Sequence, residues 1–181
     1  MIVKETKLKD CYIIRPQVFE DKRGYFIESY NEEAFQKATG LKINFVQDNE
    51  SKSSKGVLRG LHYQRGSNAQ AKLIRVVRGK VLDVVVDLRS DSLTFGEHVS
   101  LVLSGENKIQ FFVPRGFAHG FLVLEDNTIF SYKCDNPYNK EAEAGIIYND
   151  RDLGIDWNFS TDELIISDKD LLLPTLKNAK L

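Results

Sequence analysis

Apolar residues recur along the chain in short runs, not at helical intervals. Tyr12–Ile14, Tyr25–Ile27, Lys72–Val77, Val81–Leu88, His98–Leu103, Ile109–Val113, Phe121–Leu124 and Thr128–Tyr132 are rich in β-branched or aromatic residues, the composition of strands. Turn-forming sequences separate them: Arg23-Gly24, Arg78-Gly79, Ser104-Gly105-Glu106-Asn107, Pro114-Arg115-Gly116 and Glu125-Asp126-Asn127. Strands about ten residues apart predict a sandwich or barrel and disfavour βαβ units. Val99, Leu101 and Leu103 alternate with Ser100, Val102 and Ser104, as in a sheet with one wetter face. Helix is scarce. Asn31 is placed to cap Glu32–Ala38, with acidic residues in the first turn and Gly40 just past the end. A second short helix is predicted within Thr161–Ile166, and a third turn opening at Asp168-Lys169-Asp170. The polar stretch Gln47–Ser51 and the segment Asn136–Trp157 read as loops, the latter wrapping the sheet. The pattern predicts one all-β domain over residues 1–181, an antiparallel β-sandwich with a few short peripheral helices.

Composition narrows the function classes. A chain of 181 residues buries about 70% of its unfolded surface and needs no disulfide or metal to fold. Lys and Arg total 25 against 26 Asp and Glu, a net charge of -1. That balance argues against a nucleic-acid partner and leaves room only for a local anion pocket. Cys11 and Cys134 are too few for a disulfide framework and lack metal-binding spacing. Charges interrupt the first residues, and no apolar run approaches the ~20 residues of a membrane span. A cytoplasmic protein with no membrane partner is expected.

The chemistry concentrates around two of the three histidines. In Gly56-Val57-Leu58-Arg59-Gly60-Leu61-His62-Tyr63-Gln64 a cation and an imidazole interrupt an apolar strand. In a regular strand Arg59 and His62 face opposite sides. If both serve one pocket, Gly60 must host a bulge or kink that resets the register. Taken alone, His62 reads as a core histidine bonded to backbone. His119 enters the apolar strand after Pro114-Arg115-Gly116, and burial without a partner costs about 1–3 kcal/mol. Asp83, flanked by valines, offers that partner, for structure or for function. Lys72 alone reads as a snorkelling surface cation. Tyr132 and Tyr138 alone read as core-rim residues. Gln47, Asp48 and Asn49 supply groups that bind hydroxyls and amides. No dinucleotide fingerprint, phosphate loop, nucleophile elbow or paired-histidine spacing occurs. A metalloenzyme is disfavoured, and no cofactor is expected.

Six segments, in order, resemble the dTDP-4-dehydrorhamnose 3,5-epimerase family: Phe19-Glu20-Asp21-Lys22-Arg23-Gly24-Tyr25-Phe26, Gln47-Asp48-Asn49-Glu50-Ser51, Leu58-Arg59-Gly60-Leu61-His62-Tyr63-Gln64, Gly79 to Arg89, Pro114 to Phe121 and Ser167-Asp168-Lys169-Asp170. The resemblance implies a cupin-like antiparallel jelly roll acting as a homodimer. It implies a metal-free epimerase of a dTDP-4-keto-6-deoxy sugar on the route to dTDP-L-rhamnose. Carried over by position, His62 resembles the base, Asp170 its orienting carboxylate and Tyr132 the proton donor. Arg23, Glu28, Gln47, Asp48, Asn49, Arg59, Lys72, His119, Glu143 and Lys169 resemble the substrate-contacting set. Tyr138 resembles the ring that stacks on thymine, and Asp83 the partner of His119. Lys72 is the natural positive neighbour for an enolate oxygen. The same scaffold also suits a 3- or 5-monoepimerase, a ketoisomerase, or a non-catalytic nucleotide-sugar binding module. A barrel interior holding His62, Lys72, Asp83 and His119 side by side is expected.

Overall fold

The computed structural model describes all 181 residues. Two N-terminal strands, β1 (Ile2–Glu5) and β2 (Tyr12–Arg15), precede a hairpin of β3 (Val18–Asp21) and β4 (Gly24–Ile27). Helix α1 (Glu32–Thr39) follows, with Asn31 Oδ1 accepting from the Ala34 amide and Gly40 closing it at φ 74. Then come β5 (Gln47–Ser53), β6 (Val57–Gln64), β7 (Lys72–Arg78), β8 (Lys80–Asp87) and β9 (His98–Ser104). The last large strands are β10 (Gln110–Val113), β11 (Phe117–Val123) and β12 (Thr128–Cys134). Two short ones, β13 (Glu143–Gly145) and β14 (Ile165–Ile166), and the one-turn helix α2 (Asp168–Leu171) complete the chain.

The expected antiparallel β-sandwich is present, in the cupin-like jelly-roll form. One sheet runs β1-β2-β10-β7-β12-β5 and the other β13-β6-β11-β8-β9, with β14 added to β6 and the β3–β4 hairpin standing apart. The inner faces meet in a core that includes Ile74, Phe111 and Phe130 from the first sheet and Val81, Val85 and Phe121 from the second. A second cluster backs the other face of β6, β8 and β11, where Ile146, Leu153 and Trp157 cover Leu61, Val84 and Leu122. Helix α1 presses Phe35 onto Phe112 and Leu73 on the outside of the first sheet. No helix is long and apolar enough to cross a membrane.

Three local expectations need correction. Gln47–Ser51 is not a loop but most of β5, paired in register with β12 from Gln47↔Cys134 to Ser53↔Thr128. It lacks a hydrophobic period because its inward face lines a polar cavity and its edge faces solvent. The short helix expected within Thr161–Ile166 is present only in its first half. A single 3-10 turn covers Thr161–Glu163, and Ile165 and Ile166 then pair in parallel with Val57 and Leu58. Adjacent β-branched residues favour that extended state. The segment from Asn136 to Trp157 is mostly loop, but β13 within it pairs with β6 from Glu143↔Gln64 to Gly145↔His62.

The register of β6 against β11 fixes everything that follows. His119 pairs with His62 and Phe121 with Arg59, so three steps on β6 oppose two on β11. Gly60 supplies the extra residue at φ 116. A Cβ there would lie 2.6 Å from the Gly120 Cα and 2.8 Å from the His119 carbonyl oxygen. Gly60→Ala should therefore destabilise the fold by about 3 kcal/mol, through positive-φ strain and backbone overlap. Urea unfolding midpoints measure it, and an unchanged midpoint would contradict the role given to this glycine.

Candidate active site

The extra residue at Gly60 turns Arg59 and His62 onto one face of β6, the face shared by His119 and Phe121 on β11. Both β6 residues then look into the sandwich. There they line a cavity of about 660 Å³ together with Asn49, Lys72, His119, Tyr132 and Asp170. Asp170 arrives from the far end of the chain. Ser167 Oγ caps α2 by accepting from the Asp170 amide, and β14 ties the preceding residues to β6. The carboxylate then bridges the bulge: Oδ2 accepts from the Gly60 amide at 3.1 Å, and Oδ1 lies 2.8 Å from His62 Nε2. Burial raises the Asp170 pKa, but hydrogen bonds from His62, Gly60 and Ser167 outweigh it and the carboxyl lies below its ordinary value. An ionised Asp170 only accepts, so Nε2 carries the hydrogen and Nδ1 of a neutral His62 is left free.

A second histidine–carboxylate pair sits deeper. His119 Nε2 is 2.9 Å from Asp83 Oδ2, and the two side chains are 8% and 0% exposed. Burial pushes the His119 pKa down against the pull of Asp83. Lys72 faces the same interior from β7, makes no ion pair, and has its Nζ 6.0 Å from the Tyr132 ring centre. Burial lowers the Lys72 pKa, opposed by Cys134, Asp83 and Glu143. Tyr132 projects from β12, the neighbour of β7 in the sheet that faces His62, and rests against Phe130, ring centres 5.9 Å apart. Burial raises its pKa, keeping the phenol protonated at neutral pH.

At the cavity mouth the Tyr138 hydroxyl donates to Glu143 Oε2 at 2.8 Å, and Lys169 pairs with the same carboxylate. Gln47 stands behind Asn49, donating from Nε2 to Asn49 Oδ1 at 2.9 Å. Arg59 reaches Ser53 Oγ at 3.2 Å. The residues singled out in the sequence are thus mostly gathered here, and Lys72 and Tyr132 are cavity walls and not a solvated face or a packing rim. Three stand apart. Asp48 alternates to the outer face of β5 and pairs with Lys133 at 2.9 Å. Arg23 is ion-paired with Asp21 on the β3–β4 hairpin, and neither it nor Glu28 lines the cavity. Ser51, Phe121, Gln64 and Gln70 also line the cavity without having been singled out. For Phe121 and Gln64 the available signal was their place inside the two motif strings. No three His, Cys, Asp or Glu side chains converge as a metal-binding group.

A family model described as dTDP-4-dehydrorhamnose 3,5-epimerase matches residues 5–178. The chain belongs to this family. It is an isomerase. Over 182 aligned residues it is 51% identical to the dTDP-4-dehydrorhamnose 3,5-epimerase of Salmonella typhimurium, covering 100% of this chain and 98% of that one. The crystal structure of the Elizabethkingia anophelis 3,5-epimerase is 58% identical and superposes at a TM-score of 0.93, covering 97% of this chain and 96% of that one. A Legionella pneumophila 3,5-epimerase in complex with dTDP-4-keto-L-rhamnose is 45% identical at a TM-score of 0.93, covering 97% and 93%.

The depressed His119 pKa gives a stability prediction with a definite sign. The unfolded chain binds protons near pH ~6.5 while the folded His119 does not, so stability is full above that value and falls as pH drops toward the native pKa. His98, also lowered by burial, acts in the same window. Urea midpoints should fall between pH 7 and pH 5, and His119→Asn should flatten part of that slope. An equal slope in the variant would contradict the assignment.

Proposed function

We propose that this chain inverts C3 and C5 of dTDP-4-keto-6-deoxy-D-glucose, giving dTDP-4-keto-L-rhamnose on the way to dTDP-L-rhamnose. The opposition of His62 and Tyr132, on facing sheets of one cavity, carries this reading. Inversion removes a proton from one face of a carbon and returns one to the other. The C4 ketone acidifies both neighbouring C–H bonds. His62 Nδ1 takes the proton, and Asp170 stabilises the imidazolium that forms. The C–H electron pair moves into an enolate whose O4 charge faces Lys72. Burial weakens the hold of Lys72 on its proton, and an arriving anion strengthens it. Tyr132 then protonates the carbon from the opposite face. Tyrosinate regains a proton and imidazolium loses one through solvent, so the net change is isomerisation. The ketone supplies the activation that a Lewis acid would otherwise give, and the dispersed donors support a metal-free mechanism.

Substrate contact falls to Arg59, Asn49, His119, Glu143 and Lys169, with Gln47 bracing Asn49 and Tyr138 as the platform for thymine. The functional unit in this reading is a homodimer. Arg23 and Glu28 lie outside the cavity of their own chain, on and just past a hairpin whose Phe19, Tyr25 and Phe26 are 53%, 53% and 68% exposed. A two-stranded hairpin is marginal alone, and exposed apolar patches mark interfaces. Strand β5 has a free edge beside the cavity. Adding the hairpin to the partner's β5 covers both surfaces and delivers Arg23 and Glu28 to the partner's cavity.

In deuterated, chelator-treated buffer, His62→Asn should lose about 10²–10⁴-fold in exchange at C3 and C5 together. Tyr132→Phe should keep exchange yet fail to complete inversion, accumulating a C3-only product. Loss at a single carbon in His62→Asn would reveal a second base. Parent-rate double inversion by Tyr132→Phe would remove it as donor.

The dimer reading has its own measurement. His62→Asn and Arg23→Ala should each be nearly inactive, and mixing them with subunit exchange should restore up to about a quarter of parent activity, since only half of the dimers are mixed and each then has one intact site. No recovery in verified mixed dimers would place Arg23 outside the partner's site.

A further inference from the structure

The loop that carries Tyr138 has almost no backbone partners of its own, yet its main chain is tied down at four consecutive residues. Three glutamine side chains from three different segments do this. Gln70 Nε2 donates to the Asn136 carbonyl at 2.7 Å. Gln64 Nε2 donates to the Pro137 carbonyl at 3.3 Å, and Gln64 Oε1 accepts from the Asn139 amide at 2.6 Å. Gln47 Oε1 accepts from the Tyr138 amide at 2.9 Å.

Gln64 is the centre of this grip. It ends β6 and is 8% exposed, and its second amide hydrogen goes to the Asn68 carbonyl at 3.2 Å. Both of its donors and its acceptor oxygen are therefore engaged by main-chain atoms. A backbone N–H donates and nothing else, so the Asn139 amide fixes which end of Gln64 is oxygen. The Tyr138 amide fixes Gln47 likewise, and Gln47 in turn fixes the amide of Asn49. The loop and the cavity wall thus share one hydrogen-bond polarity. Tyr138 itself is 53% exposed and has too little packing to hold a ring in place. Apart from the hydroxyl bond to Glu143 at its tip, its position comes from the backbone beneath it.

We propose that Gln64 is a positioning residue for nucleotide binding. It holds the 136–139 backbone so that Tyr138 is set in advance as a base platform, which spares the ordering cost on binding. This rests on the reading of Tyr138 as the thymine platform. Glutamine suits the task because it donates and accepts at once across a short span. Glutamate, of equal size, keeps the acceptor for Asn139 but loses both donors and sets an oxygen against the Pro137 and Asn68 carbonyls.

The test is dTDP binding by titration calorimetry, with KM and kcat measured beside it. Gln64→Glu should bind dTDP about tenfold more weakly, with KM raised to match and kcat within about twofold of the parent. Inorganic pyrophosphate, which does not reach the base platform, should bind parent and variant alike. In a Tyr138→Ala background Gln64→Glu should add little further loss, since both remove the same contact. Gln70→Leu, at the outer end of the grip, should show a weaker version of the same KM effect and serves if Gln64→Glu does not fold. Unchanged dTDP affinity in a folded Gln64→Glu protein overturns the proposal. So does a loss that persists in full without Tyr138, or a fall in kcat at constant KM. A parent protein that binds no dTDP would instead overturn the nucleotide-sugar reading on which the proposal rests.

Discussion

The approach of Gly60 to Gly120 is the constraint on which the site depends. A sheet side chain alternates faces at every residue, so one added residue on β6 moves all that follows to the other side. Without it, either Arg59 or His62 would point into the apolar layer under Ile146 and Trp157. Placing a charge there without a partner is costly. The bulge instead sets both polar groups on the cavity side and leaves Leu58 and Leu61 in the apolar layer. It also turns the Gly60 amide out of the ladder, where Asp170 accepts from it. One carboxylate thus satisfies the donor freed by the irregularity and holds the imidazole that the irregularity exposes.

The two histidine–carboxylate pairs share a geometry and differ in surroundings. His62 keeps 31% side-chain exposure over a carboxylate that is 5% exposed, whereas His119 and Asp83 are 8% and 0% exposed. A base that cycles its proton with solvent needs the first environment. The second suits a neutral imidazole fixed in orientation, because burial opposes its charging. Phe130 stacks on Phe121, ring centres 3.9 Å apart, and lies 6.0 Å from the His119 ring at that end of the cavity. Tyr132, on the sheet that faces His62, leans on the same Phe130. Apolar packing therefore sets the spacing between the groups that would exchange protons.

Much of this was legible in the sequence, for reasons that differ by residue. Polar residues inside apolar runs, such as Asp83 and His119, announce a partner because burial demands one. Arg59 and His62 at odd spacing around a glycine announce a bulge. Strand β5 was illegible because both its faces are polar, one toward the cavity and one toward solvent, which leaves no period to read. Ile165 and Ile166 looked like the end of a helix because their strand partner lies more than a hundred residues earlier, at Val57 and Leu58. Gln64 carries no signal of its role in the sequence, since two of its three partners are main-chain atoms of Pro137 and Asn139, far along the chain. Arg23 and Glu28 lie on or beside a hairpin that stands apart from both sheets, and no pattern within the chain places them relative to the cavity.

A net charge of -1 is compatible with an anionic substrate because the relevant quantity is local. Arg59, Lys72 and Lys169 face the cavity, where Glu50, Glu143 and Asp170 are the acidic residues among its walls. Glu143 is already engaged by Lys169 and Tyr138, and Asp170 by His62 and Gly60. Lys72 is left with no ion pair and, by burial, a weakened hold on its proton. Negative charge brought near it restores that hold, so the gain is largest at the moment charge appears. An enolate gains more from such a group than the neutral ketone that precedes it, and this difference, unlike binding shared by both, lowers the barrier.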